Sequence, residues 1–169
     1  MKERHRRRVL YCLWLTPPWP IEVGVTAQWL FQVRFDVGDP VLADRVRKTV
    51  HEPALALLFD ILARHRAMAT CQFDAFAAYV EAAEAQGHGN EPLCRWTKAT
   101  IEDPAKKEKY LKSFTLYLDG KEVYARAVAE AVEAELRPLA EAGLIARLSK
   151  YDTNPTNNRQ PPQRFREKR

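Results

Sequence analysis

Leu136-Arg137-Pro138-Leu139-Ala140-Glu141-Ala142-Gly143-Leu144-Ile145-Ala146-Arg147-Leu148 is the stretch whose reading governs the rest of the chain. A helix that ends at Gly143 meets a β-prone pair, Leu144-Ile145, with no linker between them. Glycine closes helices well because it adopts the left-handed conformation at no steric cost. On the N-terminal side, Pro104 to Leu118 carries Tyr110, Leu111, Phe114, Tyr117 and Leu118 at helical spacing, with Gly120 as a stop. Lys121 to Ala142 carries Val123, Ala127, Val128, Val132, Leu136 and Leu139, and Pro138 should kink or divide that helix. On the C-terminal side, Ser149 to Asn158 is rich in turn formers, and Gln163-Arg164-Phe165-Arg166 reads as a second short strand.

Four acid-proline pairs punctuate the chain further upstream: Asp39-Pro40, Glu52-Pro53, Glu91-Pro92 and Asp103-Pro104. Proline suits the first helical turn, where its missing N–H would have no partner, and the carboxylate meets the positive end of the helix dipole. Helices are therefore predicted over Pro40–Val50, Pro53–Met68 and Phe73–Glu84, the last ending in the glycine-rich turn 86–90. Nearer the N-terminus, Val9 to Leu15 is apolar throughout and compatible with either a strand or a helix. Thr16-Pro17-Pro18-Trp19-Pro20 breaks either one, and Ile21, Val23 and Val25 alternate as in a strand. From Thr26 the stretch Ala27–Val33 suits a short helix or a strand.

The order helix, helix, strand, turn, strand over residues 104–166 resembles a winged helix-turn-helix. The resemblance implies a mainly α fold, a helical domain with a small β wing at the C-terminus. The organisation expected is a basic arm (1–10), an N-terminal helical region (11–86), a connecting segment (87–103) and a winged-helix-like region with a basic tail (104–169). The helix that would enter a DNA groove carries Glu130, Glu133, Glu135 and Glu141 against Arg137 alone. An acidic helix opposes phosphate contact, so the wing becomes the better nucleic-acid element, and a protein–protein role stays open.

Composition sets the remaining limits. The 169 residues are 46% hydrophobic and 29% charged, values for a packed domain rather than a disordered chain. Three cysteines are too few for a disulfide scaffold, and no apolar run reaches membrane-spanning length, so a cytoplasmic location without membrane contact is expected. The formal net charge of +5 is unevenly placed: residues 1–10 hold +4 and residues 147–169 hold +5, leaving −4 on the body between.

Phosphate neutralisation is thus expected from Arg4, Arg6, Arg7, Arg8, Lys150, Arg159, Arg164, Arg166, Lys168 and Arg169, with Tyr151 and Phe165 as aromatic anchors in the tail. Trp19, held between prolines, is a candidate partner contact. Trp14, Trp29, Phe31 and Phe35 suit either base stacking or, more commonly, core filling.

Phosphate-loop, dinucleotide-fold, hydrolase-elbow and zincin signatures are missing from the sequence, so a non-enzymatic role is expected, with no cofactor. The spacing His65-x5-Cys71 recurs as His88-x5-Cys94, but structural zinc sites pair their cysteines more closely, and no metal is expected. Two functions follow: a nucleic-acid-binding protein (DNA or RNA), or a helical accessory subunit of a nucleoprotein or host-defence assembly. Either one allows a protein partner or a homo-oligomer. Removing residues 1–8 and cutting after Leu148 is expected to abolish nucleic-acid binding while the body stays folded.

Overall fold

The computed structural model describes residues 29–154 and 156–157. Four strands, β1 (Phe31–Val37), β2 (Ala67–Cys71), β3 (Ser113–Leu118) and β4 (Ile145–Asp152), form one antiparallel sheet in the order β2-β3-β1-β4. Between β1 and β2 lie α1 (Pro40–Arg47), a 3-10 turn (Pro53–Leu55) and α2 (Ala56–Arg64). Between β2 and β3 lie α3 (Gln72–Ala85), α4 (Pro92–Glu102) and α5 (Pro104–Leu111), and α6 (Arg126–Glu141) joins β3 to β4. Setting aside α3–α5, this is the split β-α-β, or ferredoxin-like, connectivity, in which a hairpin would join β2 to β3.

The expectation of a mainly α, winged-helix-like fold is corrected by this sheet. The stretch 104–118 is not one helix. It is α5 followed by β3, because Phe114, Leu116 and Leu118 alternate with Ser113, Thr115 and Tyr117 and face one side of a pleated strand. Gly120 does not end a helix. Asp119 (φ 48) and Gly120 (φ 76) make the two-residue turn between Leu118 and Lys121, whose backbones exchange hydrogen bonds of 2.8 and 2.9 Å. Positive φ at both central residues is the type I′ requirement, which Asp-Gly meets.

The expected wing is corrected as well. Residues 149–152 continue β4, which pairs with β1 from Phe31↔Asp152 to Val37↔Ile145, and residues 163–166 lie outside the described residues. Helix α2 stops at Arg64, and Ala67–Cys71 is strand rather than the end of a helix. Pro138 sits inside α6, which continues to Glu141 undivided. Glycine at 143 (φ 83) follows that helix as anticipated.

The acid-proline pairs separate by side-chain length. Asp39 Oδ1 accepts from Val41 N (2.7 Å) and Leu42 N (3.1 Å), and Asp103 Oδ1 accepts from Ala105 N and Lys106 N. Glu52 and Glu91 precede helical turns without any such bond, since an extra methylene carries the carboxylate past the backbone N–H groups.

The core fills one face of the sheet. Val33, Phe35 and Val37 of β1 and Phe114, Leu116 and Leu118 of β3 pack against α1, α2 and α6, with Leu58, Val132 and Leu136 fully buried or nearly so. Phe35 and Phe114 stack at 5.3 Å across the central pair. A separate small cluster, Val80, Ala83 and Cys94, holds α3 to α4. No helix among the described residues is long and apolar enough to cross a membrane.

Candidate functional site

Strand alternation sends the other half of each strand to the opposite face. On β1 these are Gln32, Arg34 and Asp36. The register places Tyr151 opposite Gln32, Ser149 and Thr115 opposite Arg34, and Thr70 opposite Thr115. Helices α3–α5 lie over part of this face. Gln72 Nε2 bonds Thr115 Oγ1 at 3.3 Å, and Phe76 packs edge-on against Trp96 (6.3 Å) and Tyr110 (5.0 Å). Between sheet and helices is a cleft of about 110 Å³, several times the space that one water needs. Aromatic walls (Phe76, Tyr79, Trp96, Tyr110 and Tyr117) face polar groups from Arg34, Thr115 and Glu122.

Arg34 is the cation at the centre of this face, and Arg147, opposite Asp36, lies further along it. Arg34 Nε and Nη2 donate to Gln32 Oε1 at 2.9 and 2.5 Å, and its guanidinium carbon lies 4.0 Å above the Tyr151 ring. It forms no ion pair with a carboxylate among the described residues. Burial pulls its pKa below the ordinary value, against the opposing influence of Tyr151 and Glu122. Burial also raises Tyr151 and Tyr79 above the usual phenol range, keeping both neutral.

Gln32 is completely buried, and both ends of its amide are used: the oxygen receives Arg34, and Nε2 donates to Glu122 Oε1 at 2.6 Å. An amide between a pure donor and a pure acceptor has one orientation, so Gln32 fixes both neighbours. Glu122 is held there by the segment after the Asp119-Gly120 turn. Phe31 and Tyr124 exchange backbone hydrogen bonds of 2.8 and 3.0 Å, and Val33 N donates to Tyr124 Oη at 2.7 Å. Burial of that phenol pushes its pKa up to about 12.

Of the basic residues expected to bind phosphate, only Lys150 falls within the described part. Arg4, Arg6, Arg7, Arg8, Arg159, Arg164, Arg166, Lys168 and Arg169 lie outside it, as do Trp14, Trp19 and Phe165. Lys150 Nζ is 2.9 Å from Glu130 and 3.7 Å from Glu133, with 21% of its side chain exposed. A phosphate would have to break both contacts to reach it. Glu135 of α6 is similarly engaged, with Arg64 (2.6 Å) and His65 (2.9 Å).

The aromatic residues divide too: Phe35 is core, Phe31 packs against it, and Trp29 is 44% exposed. His65, Cys71, His88 and Cys94 do not converge; His88 contacts Glu91, Cys71 joins the main core and Cys94 the small one. Among the described residues no group of three His, Cys, Asp or Glu side chains could hold a metal.

Sequence reading passed over Gln32, Arg34, Trp96, Tyr117 and Glu122 as site residues. The signal for the first two was the alternation Phe31-Gln32-Val33-Arg34-Phe35-Asp36-Val37, apolar and polar in strict turn.

Leu30 O accepts from Thr153 N (3.1 Å) and Thr153 Oγ1 (2.7 Å), so the chain enters β1 and leaves β4 side by side. That corner also carries Gln32, Tyr151 and Glu122. Comparison with protein-family models, curated proteins and solved structures finds no match to this chain.

Proposed function

We propose that this chain is a non-enzymatic, cytoplasmic protein that binds single-stranded nucleic acid. The sheet face around Arg34 and Tyr151 receives bases, and the basic segments 1–10 and 158–169 neutralise the flanking phosphates. The observation that carries the reading is the position of Arg34. It is a half-buried guanidinium stacked on an aromatic ring, without a carboxylate partner among the described residues, on the face whose corner holds Leu30 beside Thr153. Aromatic and arginine side chains on a four-stranded antiparallel sheet stack unpaired bases irrespective of sequence, and a charged groove or tail tracks the backbone. An RNA or DNA duplex hides its base faces and offers less to such a surface.

The test is fluorescence anisotropy with labelled single-stranded oligonucleotides over a salt series. Log K should fall linearly with log salt, because each neutralised phosphate releases counterion. Removing residues 1–8 and cutting after Asn157 should flatten the slope and weaken binding by at least tenfold at low salt. The cut belongs there and not after Leu148, since β4 pairs with β1 as far as Asp152. Equal binding by the truncated and full chains overturns the assignment of the ends.

A further inference from the structure

We propose that the cleft between the sheet and α3–α5 takes a single unpaired base, and that guanine fits it best. The inference rests on the nucleic-acid reading for the polymer that supplies the base, while the cleft itself is read from its own chemistry.

Three features set the ligand class. The walls are rings: Tyr79, Trp96, Tyr110 and Tyr117 are all partly exposed, as a stacking surface must be. The sheet side carries a fixed donor and a fixed acceptor of opposite charge, Arg34 and Glu122, joined through the buried amide of Gln32. Only Nε and Nη2 of Arg34 bond Gln32, so among the described residues Nη1 retains its hydrogens for a ligand, and Glu122 Oε2 retains its lone pairs.

A small anion would gain Arg34 but meet the Glu122 carboxylate, and an ammonium would meet the reverse. A neutral planar ring with acceptors on one part of its edge and donors on the next satisfies both. Guanine has that edge: N7 and O6 accept, and N1–H and the N2 amine donate side by side. Guanidinium groups pair well with O6 and N7. Cytosine offers one amino donor to the carboxylate, adenine has no adjacent pair of donors, and uracil places its single N–H between two carbonyls. Guanine therefore uses both charged groups most fully.

The experiment is calorimetric titration of the full chain with GMP, AMP, CMP, UMP, IMP and ribose 5-phosphate. Alongside it, anisotropy is measured on a uridine decamer with and without one central guanosine. GMP should bind at least tenfold tighter than AMP, CMP or UMP. IMP, which lacks the N2 amine, should lose about tenfold, the worth of one hydrogen bond to a charged group. Glu122→Gln should erase the preference for GMP over IMP. Trp96→Phe, which leaves that edge untouched, should weaken all bases together.

If the four nucleotides bind alike, or none binds better than ribose 5-phosphate, the guanine assignment is wrong even when the uridine decamer still binds. Should GMP bind selectively while neither decamer binds, the cleft assignment stands with a free guanine nucleotide as its ligand, and the nucleic-acid reading falls. The nucleotide panel on the unaltered chain decides the matter even if Glu122→Gln fails to fold.

Discussion

Glu130 shows how side-chain partners on this molecule translate into pH dependence. Hydrogen bonds from Lys150 and then Arg126 hold its carboxyl at about 2, well below the ordinary carboxylate value of 4.5. A carboxylate whose pKa is depressed on folding stabilises the native state above its unfolded pKa. That contribution disappears as pH falls through the folded value. Glu135, lowered by Arg64 and then by His65, adds to the same trend. Thermal unfolding of the protein and of Glu130→Gln should therefore differ at pH 6, converge as pH falls from about 4.5 to 2, and coincide below. A gap between the two that persists at pH 2 would mean that Glu130 acts through packing and not through its charge. The same ion pairs engage Lys150, so a phosphate would compete there with Glu130 and Glu133.

Capping and alternation separate what was legible from what was not among the elements. Asp39 and Asp103 each accept two backbone N–H bonds at a helix start, whereas Glu91 accepts none. Asp39→Ala should cost about 1 kcal/mol in urea unfolding, Asp103→Ala should lower the urea midpoint in the same direction, and Glu91→Ala should leave it nearly unchanged. Equal costs for the three would show that the acid acts only through the helix dipole.

These acid-proline signals located α1, the 3-10 turn and α5, and apolar spacing located α2, α3 and most of α6, whereas α4 lies in the stretch 87–103 expected only to connect. The strands were harder. In β3 the run Ser113–Leu118 fits a helical stripe through Phe114, Tyr117 and Leu118 as readily as it fits alternation. The Asp119-Gly120 turn that decides between them is, in sequence, equally compatible with the stop of a helix. The five residues of β2, Ala67–Cys71, are mostly small and weakly patterned, and their strand conformation comes from pairing with β3. Arg34 and Glu122, far apart in sequence, are linked through Gln32 only by the pairing of β1 with β3 and the turn that follows β3, so no local pattern could join them.

At the scale of the whole molecule two bodies share one sheet. Every buried side chain of the main core lies outside residues 72–112, and the small core of Val80, Ala83 and Cys94 lies wholly inside them. Helices α3–α5 thus occupy the place of a hairpin loop: Cys71 pairs with Phe114, and the chain leaves and rejoins the sheet at neighbouring positions. The face they cover is largely polar, with Arg34, Thr70, Ser113, Thr115 and Ser149, and Met68 on it is already 61% exposed. An antiparallel sheet tolerates water on such a face.

Replacing residues 73–112 with Asn-Gly, which suits a two-residue hairpin between Gln72 and Ser113, should therefore leave the sheet and α1, α2 and α6 folded. Some stability will go with Phe73 and Leu111, which pack against the main core, and with the Cys71 thiol contact to Tyr110 O. The shortened chain should still unfold in one cooperative transition and keep salt-dependent binding through its basic ends. Its preference among nucleotides should vanish, because Trp96, Tyr79 and Tyr110 go with the insertion. A shortened chain without a cooperative transition would instead make α3–α5 part of the folding unit, since their loss would then remove packing that the main core requires.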